Sequence, residues 1–347
     1  RTMTASGRSI VFISHKLNEP LEIADRITVM QRGHETAVGI DPHKTTKHEL
    51  ARLMVGRDIM FRLDKKSVEP GEVVLEIEDL RALNDKGIEA LRGISLQVRS
   101  GEILGVAGVA GNGQSELAQV ITGLRKISAG HIRVHGEELG NRTALKALET
   151  GVAHIPEDRA GVGSAPSLSV AENLIMKSYR RAPIADGFRI NQKKARQTAE
   201  NLKREYQIAT PSIDTQARLL SGGNLQRLIL AREITTKPRL MVAVHPTRGL
   251  DVGATEAVHR LLLQQREARA AILLISEDLD EILALADRIA VIYEGEIVGT
   301  ETGVKPDIEK IGLMMAGTRP APPADRVPNS EIQRNDNTVQ AGLRDGS

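Results

Sequence analysis

The run Glu102–Leu124 changes character twice within 23 residues. An apolar stretch leads into Gly108-Val-Ala-Gly111-Asn112-Gly113-Gln114-Ser115, and helical apolar spacing follows. A strand, a glycine-rich turn and a helix in that order commit the chain to an α/β core. Glycines let the backbone wrap closely around an anion with its N–H groups turned inward. The helix start adds partial positive charge at the same place. The spacing matches the phosphate-loop pattern G-x-x-x-x-G-K-[ST] at every fixed position except 114, where Gln stands for Lys. Ser115 can offer its hydroxyl to Mg²⁺. The ammonium that would meet the β- and γ-phosphates is absent. The loop therefore reads as a nucleotide cradle with a weakened grip, and its bland alternative is a strand-to-helix turn with no ligand.

The flanking patterns agree with this core. "RLMVAV" (Arg239–Val244) and "AILLIS" (Ala271–Ser276) are continuous apolar runs, as parallel strands covered on both faces require. "VVLEIEDL" (Val73–Leu80) and "ISLQVRSG" (Ile94–Gly101) alternate with period two, as half-buried antiparallel strands do, and "GHIRVHGEEL" reads as a further hairpin. In "LLSGGNLQRLILAREI" (Leu219–Ile234), Ser221 and two glycines open an amphipathic helix. Two glycines weaken a helix start, so Ser221, Gly222 and Gly223 read as a second helix terminus shaped for an anion.

A repeat with a constant offset of 262 residues links "VFISHKL" (Val11–Leu17) to "LLISEDL" (Leu273–Leu279), and extends from Asp25/Asp287 to Gly33/Gly295. His15 of the first copy is Glu277 in the second. The repeat predicts residues 1–62 to be the C-terminal end of a first domain whose remainder lies upstream, with Ile10–Ile13 as a buried strand. It predicts 63–72 as a linker and 73–317 as a second domain, and the Pro- and Asn-rich residues 318–347, with too few apolar side chains for a packed core, read as a disordered tail. A net charge of +2 and 2% aromatic residues give no footprint for nucleic acid. Without cysteine there is no thiolate metal site, and no run of about 18 apolar residues can cross a bilayer.

Together, "LSGGN-Q", "PTRGLDVGA" (Pro246–Ala254), the phosphate loop and the duplicated hairpin resemble an ABC-type ATPase. The similarity is greatest to the subfamily with two nucleotide-binding domains in one chain, which serves bacterial importers of simple sugars and nucleosides. The resemblance implies a P-loop NTPase fold of the ABC type, with an antiparallel β subdomain and a helical subdomain carrying Ser221–Gly223. It implies ATP and Mg²⁺ as cofactors, transmembrane permease subunits and an extracytoplasmic solute-binding protein as partners, and a place at the cytoplasmic face of the membrane. No nucleic-acid partner is expected.

The same resemblance implies a head-to-tail sandwich of the two domains, each nucleotide lying between one phosphate loop and the other domain's Ser-Gly-Gly helix. Gly108, Gly111, Asn112, Gly113, Gln114 and Ser115 would then face a nucleotide on one side. Ser221, Gly222 and Gly223 would face a second one, with His15 as its γ-phosphate sensor, and Asp251 would bridge the domains. The departures from the family pattern collect on the first side. They are Gln114 for Lys, Val244-His245 for Asp-Glu, Glu277 for His and Glu157 for Gln. That pocket is expected to bind nucleotide and hydrolyse it poorly, and this chain alone to lack a complete active site. Two other readings stand beside this one: a non-catalytic nucleotide-gated scaffold, and a soluble ABC ATPase of translation or repair.

Overall fold

The two continuous apolar runs, Leu240–Val244 and Ala271–Ser276, form adjacent parallel strands. A six-stranded sheet runs in the order Glu296–Thr302, Arg288–Tyr293, Ile103–Ala107, Ala271–Ser276, Leu240–Val244, Val152–Ile155. All pairs are parallel except the one to the edge strand Glu296–Thr302. The computed structural model describes residues 1–319, apart from 15–16, 32, 56–64, 187–188 and 304.

Strand alternation sorts the core into two layers. Ile103 and Ala107 of the central strand join Leu228–Ala231, Val258, Leu262 and Ile282 on one face of the sheet. Leu104 and Val106 join Leu117, Ile121, Leu75, Ile77 and Val98 on the other. The helix Gln114–Ile121 thus lies between the parallel sheet and an antiparallel sheet of order Glu89–Arg99, Val73–Leu83, Ala129–Val134, Glu137–Glu138. The helix Gly222–Thr235 packs on the opposite face, with the amphipathic helix Gln192–Glu205 contributing Ala199 and Leu202 to the same layer. Each fully buried aliphatic side chain here contributes about 1.5–3 kcal/mol.

The segment that carries the first repeat forms the hairpin Ile27–Gln31/His34–Ile40, and the helix Lys47–Val55 follows. Their small core (Val29, Leu50, Ala51) also touches Val252 at the start of the helix Val252–Glu267. The expected strand Ile10–Ile13 does not form. These residues are irregular, and Val11 and Ile13 are 95% and 99% exposed. The reason is pairing. The repeat counterpart Ile272–Ile275 lies between two hydrogen-bonded neighbours, whereas among the described residues no strand flanks 10–13. A strand without a ladder leaves its backbone groups to water.

Residues 65–69 are strapped to the segments that flank the parallel sheet. Lys65 pairs with Asp287 (2.9 Å) and Arg266 grips the same carboxylate with two bonds of 2.7 Å, while Arg266 also donates to the Lys66 carbonyl. Asp287 further accepts from the Ile103 amide at 2.8 Å.

A buried network ties the sheet to the helical layer. Glu233, fully buried, accepts from Arg232 Nε and Lys177 Nζ and from the backbone N–H of His154. Burial, more than the neighbouring cations, pushes the His154 imidazole down from 6.5 to about 4. The unfolded chain therefore binds a proton that the folded chain refuses between those values. Stability is full above about pH 6.5 and falls towards pH 4, by on the order of 3 kcal/mol. Melting curves across this window should show the fall, and His154→Gln should flatten part of it. Parallel curves for the two proteins would remove His154 from the account.

Candidate functional site

Register brings the site together. Ala107 pairs with Ser276 and Val244 with Ile275, so Gly108, His245 and Glu277 leave the sheet side by side at its carboxyl edge. This is where ligands bind in open α/β sheets.

The loop is held from outside. Asn112 Oδ1 accepts from the Glu294 amide (2.7 Å), its Nδ2 donates to the Val109 carbonyl, and its own carbonyl accepts from the Gly295 amide. The Asn112 side chain is thus spent on shaping the loop, which leaves its backbone as the part free to serve a ligand. Gly113 has φ 100°, and a Cβ there would stand 2.7 Å from the Ala90 carbonyl. Gly111 also has positive φ, but open space surrounds it.

Gln114 is 3% exposed, and its Nε2 has no hydrogen-bond partner. It points into the loop, 3.0 Å from where a Cβ on Gly108 would stand. A buried donor left unpaired costs about 1–3 kcal/mol, so the loop asks for an acceptor, and a phosphate oxygen fits. The Ser115 hydroxyl is exposed and suits a cation. Mg²⁺ needs more oxygen than that, usually with a carboxylate. The strand that could supply one ends in Val244, 3% exposed. The nucleotide phosphates fit these residues; Mg²⁺ fits only in part.

His245 takes the sharp turn after Val244 (φ 45°), and its Nδ1 faces the Glu277 amide at 3.4 Å. Burial lowers its pKa against the pull of Glu277 and Glu281. Two substituted positions, 32 residues apart in sequence, are therefore neighbours. Behind them Glu281, 3% exposed, accepts from Ser276 (2.7 Å) and Thr247 (2.7 Å) and meets His259 Nε2 at 3.2 Å. Burial alone would raise its pKa, and these bonds bring it down below the ordinary value. Its members come from separate elements, so no local spacing marks the network.

Ser221 begins the helix Gly222–Thr235, its hydroxyl accepting from Asn224 Nδ2 at 2.9 Å, with Ser221 and Gly222 exposed. The two glycines differ in role. A Cβ on Gly222 would meet only an Arg159 nitrogen at 3.8 Å, whereas one on Gly223 would crowd Ala254 at 3.2 Å. Gly222 leaves surface open; Gly223 serves helix packing. Asp251 caps the helix Val252–Glu267, accepting from the Ala254 amide at 2.8 Å. His15 lies outside the described residues.

One linkage was not foreseen. Arg159 donates to Gln226 Oε1 (2.8 Å) and to the Arg248 carbonyl, while Arg248 pairs with Glu157. This ties the segment Ile155–Arg159, the Ser-Gly-Gly helix and "PTRGLD" together.

These features have counterparts in known proteins. Residues 91–248 match the ABC transporter family. The chain carries an ABC transporter ATP-binding domain. Its fold is the ABC ATPase cassette, as the sequence led us to expect. A nucleotide-free ATP-binding cassette from an ABC transporter superposes with TM-score 0.58 at 20% identity, covering 70% of this chain and 95% of that one. A dimeric post-hydrolysis cassette bound to ADP and Pi gives TM-score 0.56 at 21% identity, covering 66% and 98%. Among curated proteins, the glucose import ATP-binding protein TsgD13 of Haloferax volcanii is 45% identical over 91% of this chain and 58% of its own length. The guanosine import ATP-binding protein NupO of Bacillus subtilis is 43% identical over 92% and 62%. The nucleoside import ATP-binding protein NupA of Lactococcus lactis is 41% identical over 91% and 62%. The chain spans about three fifths of the length of these relatives. No described helix is long and apolar enough to cross a membrane.

Proposed function

We propose that this ABC domain is part of the ATP-driven motor of a sugar or nucleoside importer, with one weak and one competent nucleotide site. Its partners are transmembrane permease subunits, served by an extracytoplasmic solute-binding protein, and it works at the cytoplasmic face of the membrane. The likeness to glucose, guanosine and nucleoside import proteins supports the solute class.

The sheet itself supports a sandwich. The Gly108–Ser115 loop opens a helix on one face, and Ser221–Gly223 opens a helix on the other. Neither can enclose a nucleotide against the other within one domain. We assign the opposing surfaces to the remainder of the first copy. Its phosphate loop would face Ser221, Gly222 and Gly223, with His15 at the γ-phosphate and Asp251 at the domain junction. The exposed apolar residues Val11 and Ile13 fit a strand awaiting that domain's sheet.

One observation carries the weak-site assignment: His245 and Glu277 touch at the same sheet edge from which the Gln114 loop departs. In this pocket Ser115 is the expected cation ligand, Gly108, Gly111, Gly113 and Gln114 hold phosphates, and no carboxylate stands at the end of the strand Leu240–Val244. Gln114→Lys restores one charge and leaves the other gaps. Phosphate release at this site should therefore stay within about threefold of the parent, well short of the 10²-fold or more expected of a restored electrostatic stabiliser. A rise of about a hundredfold would refute the assignment.

A further inference from the structure

We infer that the Gly108–Ser115 pocket selects a nucleoside diphosphate over the triphosphate and retains it without a divalent cation. This rests on reading the loop as a phosphate cradle, and it goes further by naming the form of nucleotide held.

The inner part of the cradle is intact. Backbone N–H groups at a helix start, positive φ at Gly111 and Gly113, and the buried unpaired Gln114 Nε2 all favour phosphate oxygens. The outer part, at the strand ends, is not. Gln114 supplies a neutral donor where an ammonium would set a full positive charge against the outer phosphates. Glu277 stands exposed beside the loop's own strand, and among the described residues no Lys or Arg pairs with its carboxylate. His245 cannot offset it. Its Nδ1 is occupied by the Glu277 amide, and burial favours the neutral ring.

A third phosphate brings further negative charge to this edge, against a carboxylate and a neutral imidazole. A bound cation would normally relieve that, yet Val244 offers it no oxygen, and no cluster of three metal-holding side chains occurs among the described residues. The diphosphate keeps the favourable contacts and avoids the conflict. A metal adds little to its binding because the site gives the metal only the Ser115 hydroxyl.

The test is equilibrium titration of this chain with fluorescent ADP and ATP, each in magnesium and in EDTA. ADP should bind about fivefold or more tightly than ATP, and EDTA should change ADP affinity by less than about twofold. Glu277→Gln should bring ATP to within about twofold of ADP and leave ADP itself unchanged. ATP binding as tightly as ADP in the unaltered chain would overturn the selection, as would a tenfold or larger loss of ADP in EDTA or an unmoved gap in Glu277→Gln. Those outcomes leave the phosphate cradle standing. Failure to bind either nucleotide, in protein that still melts cooperatively, would overturn the cradle and the selection together.

Discussion

Gly113→Ala should lower nucleotide affinity by about a hundredfold or more. Gly113 sits at φ 100°, where a side chain strains the backbone, and its Cβ would press on the Ala90 carbonyl at 2.7 Å and Leu91 Cδ2 at 3.0 Å. The carbonyl belongs to a strand and cannot swing aside as a flexible side chain would. The loop must move instead, and its N–H groups then lose aim. Losing two hydrogen bonds to phosphate, at about 1.5–3 kcal/mol each, gives the hundredfold. Gly111→Ala is the control. It carries similar strain (φ 88°) in open space, so about tenfold is expected. Titration with a fluorescent nucleotide separates the two variants. Equal losses would show that backbone strain alone sets the effect, and that the Ala90 contact does not matter.

The second large effect lies far from nucleotide. Asp287→Ala should destabilise the fold by about 3–5 kcal/mol, because it strands the nearly buried Arg266 guanidinium and releases Lys65. For a domain of this size the melting temperature should drop by about 2–4 °C per kcal/mol, roughly 6–20 °C in all. Replacing the pair together, Arg266→Met with Asp287→Leu, should recover part of the loss, since the Arg266 charge is then no longer stranded while Lys65 and the Ile103 amide still lose their partner. A drop of about 2 °C or less in Asp287→Ala would mean that water already screens the carboxylate.

Much of the fold is legible in the amino-acid order alone. The unbroken apolar runs Leu240–Val244 and Ala271–Ser276 could only be strands covered on both faces, and they are buried throughout. Period-two alternation marked Val73–Leu80 and Ile94–Gly101 as half-buried antiparallel strands, and they lie within the paired strands Val73–Leu83 and Glu89–Arg99. Ile10–Ile13 misled for a physical reason. Its composition is that of a buried strand, but burial depends on neighbours, which a local pattern does not contain. The phosphate loop was legible because its spacing is local. The Glu281 cluster and the Arg159 linkage were not, because their members lie 5–34 and 67–91 residues apart.

The sequence by itself determined the strand–loop–helix cradle, the helix opened by Ser221 and its glycines, and the identity of every departure from the phosphate-binding pattern. Local spacing and backbone preference suffice for those. Only the tertiary structure decided that His245 and Glu277 touch, that Gln114 is buried with an unpaired donor, and that the two anion-shaped helix ends lie on opposite faces of one sheet. Those facts depend on strand register and on which side chains alternate to which face, and both are settled when distant segments pair.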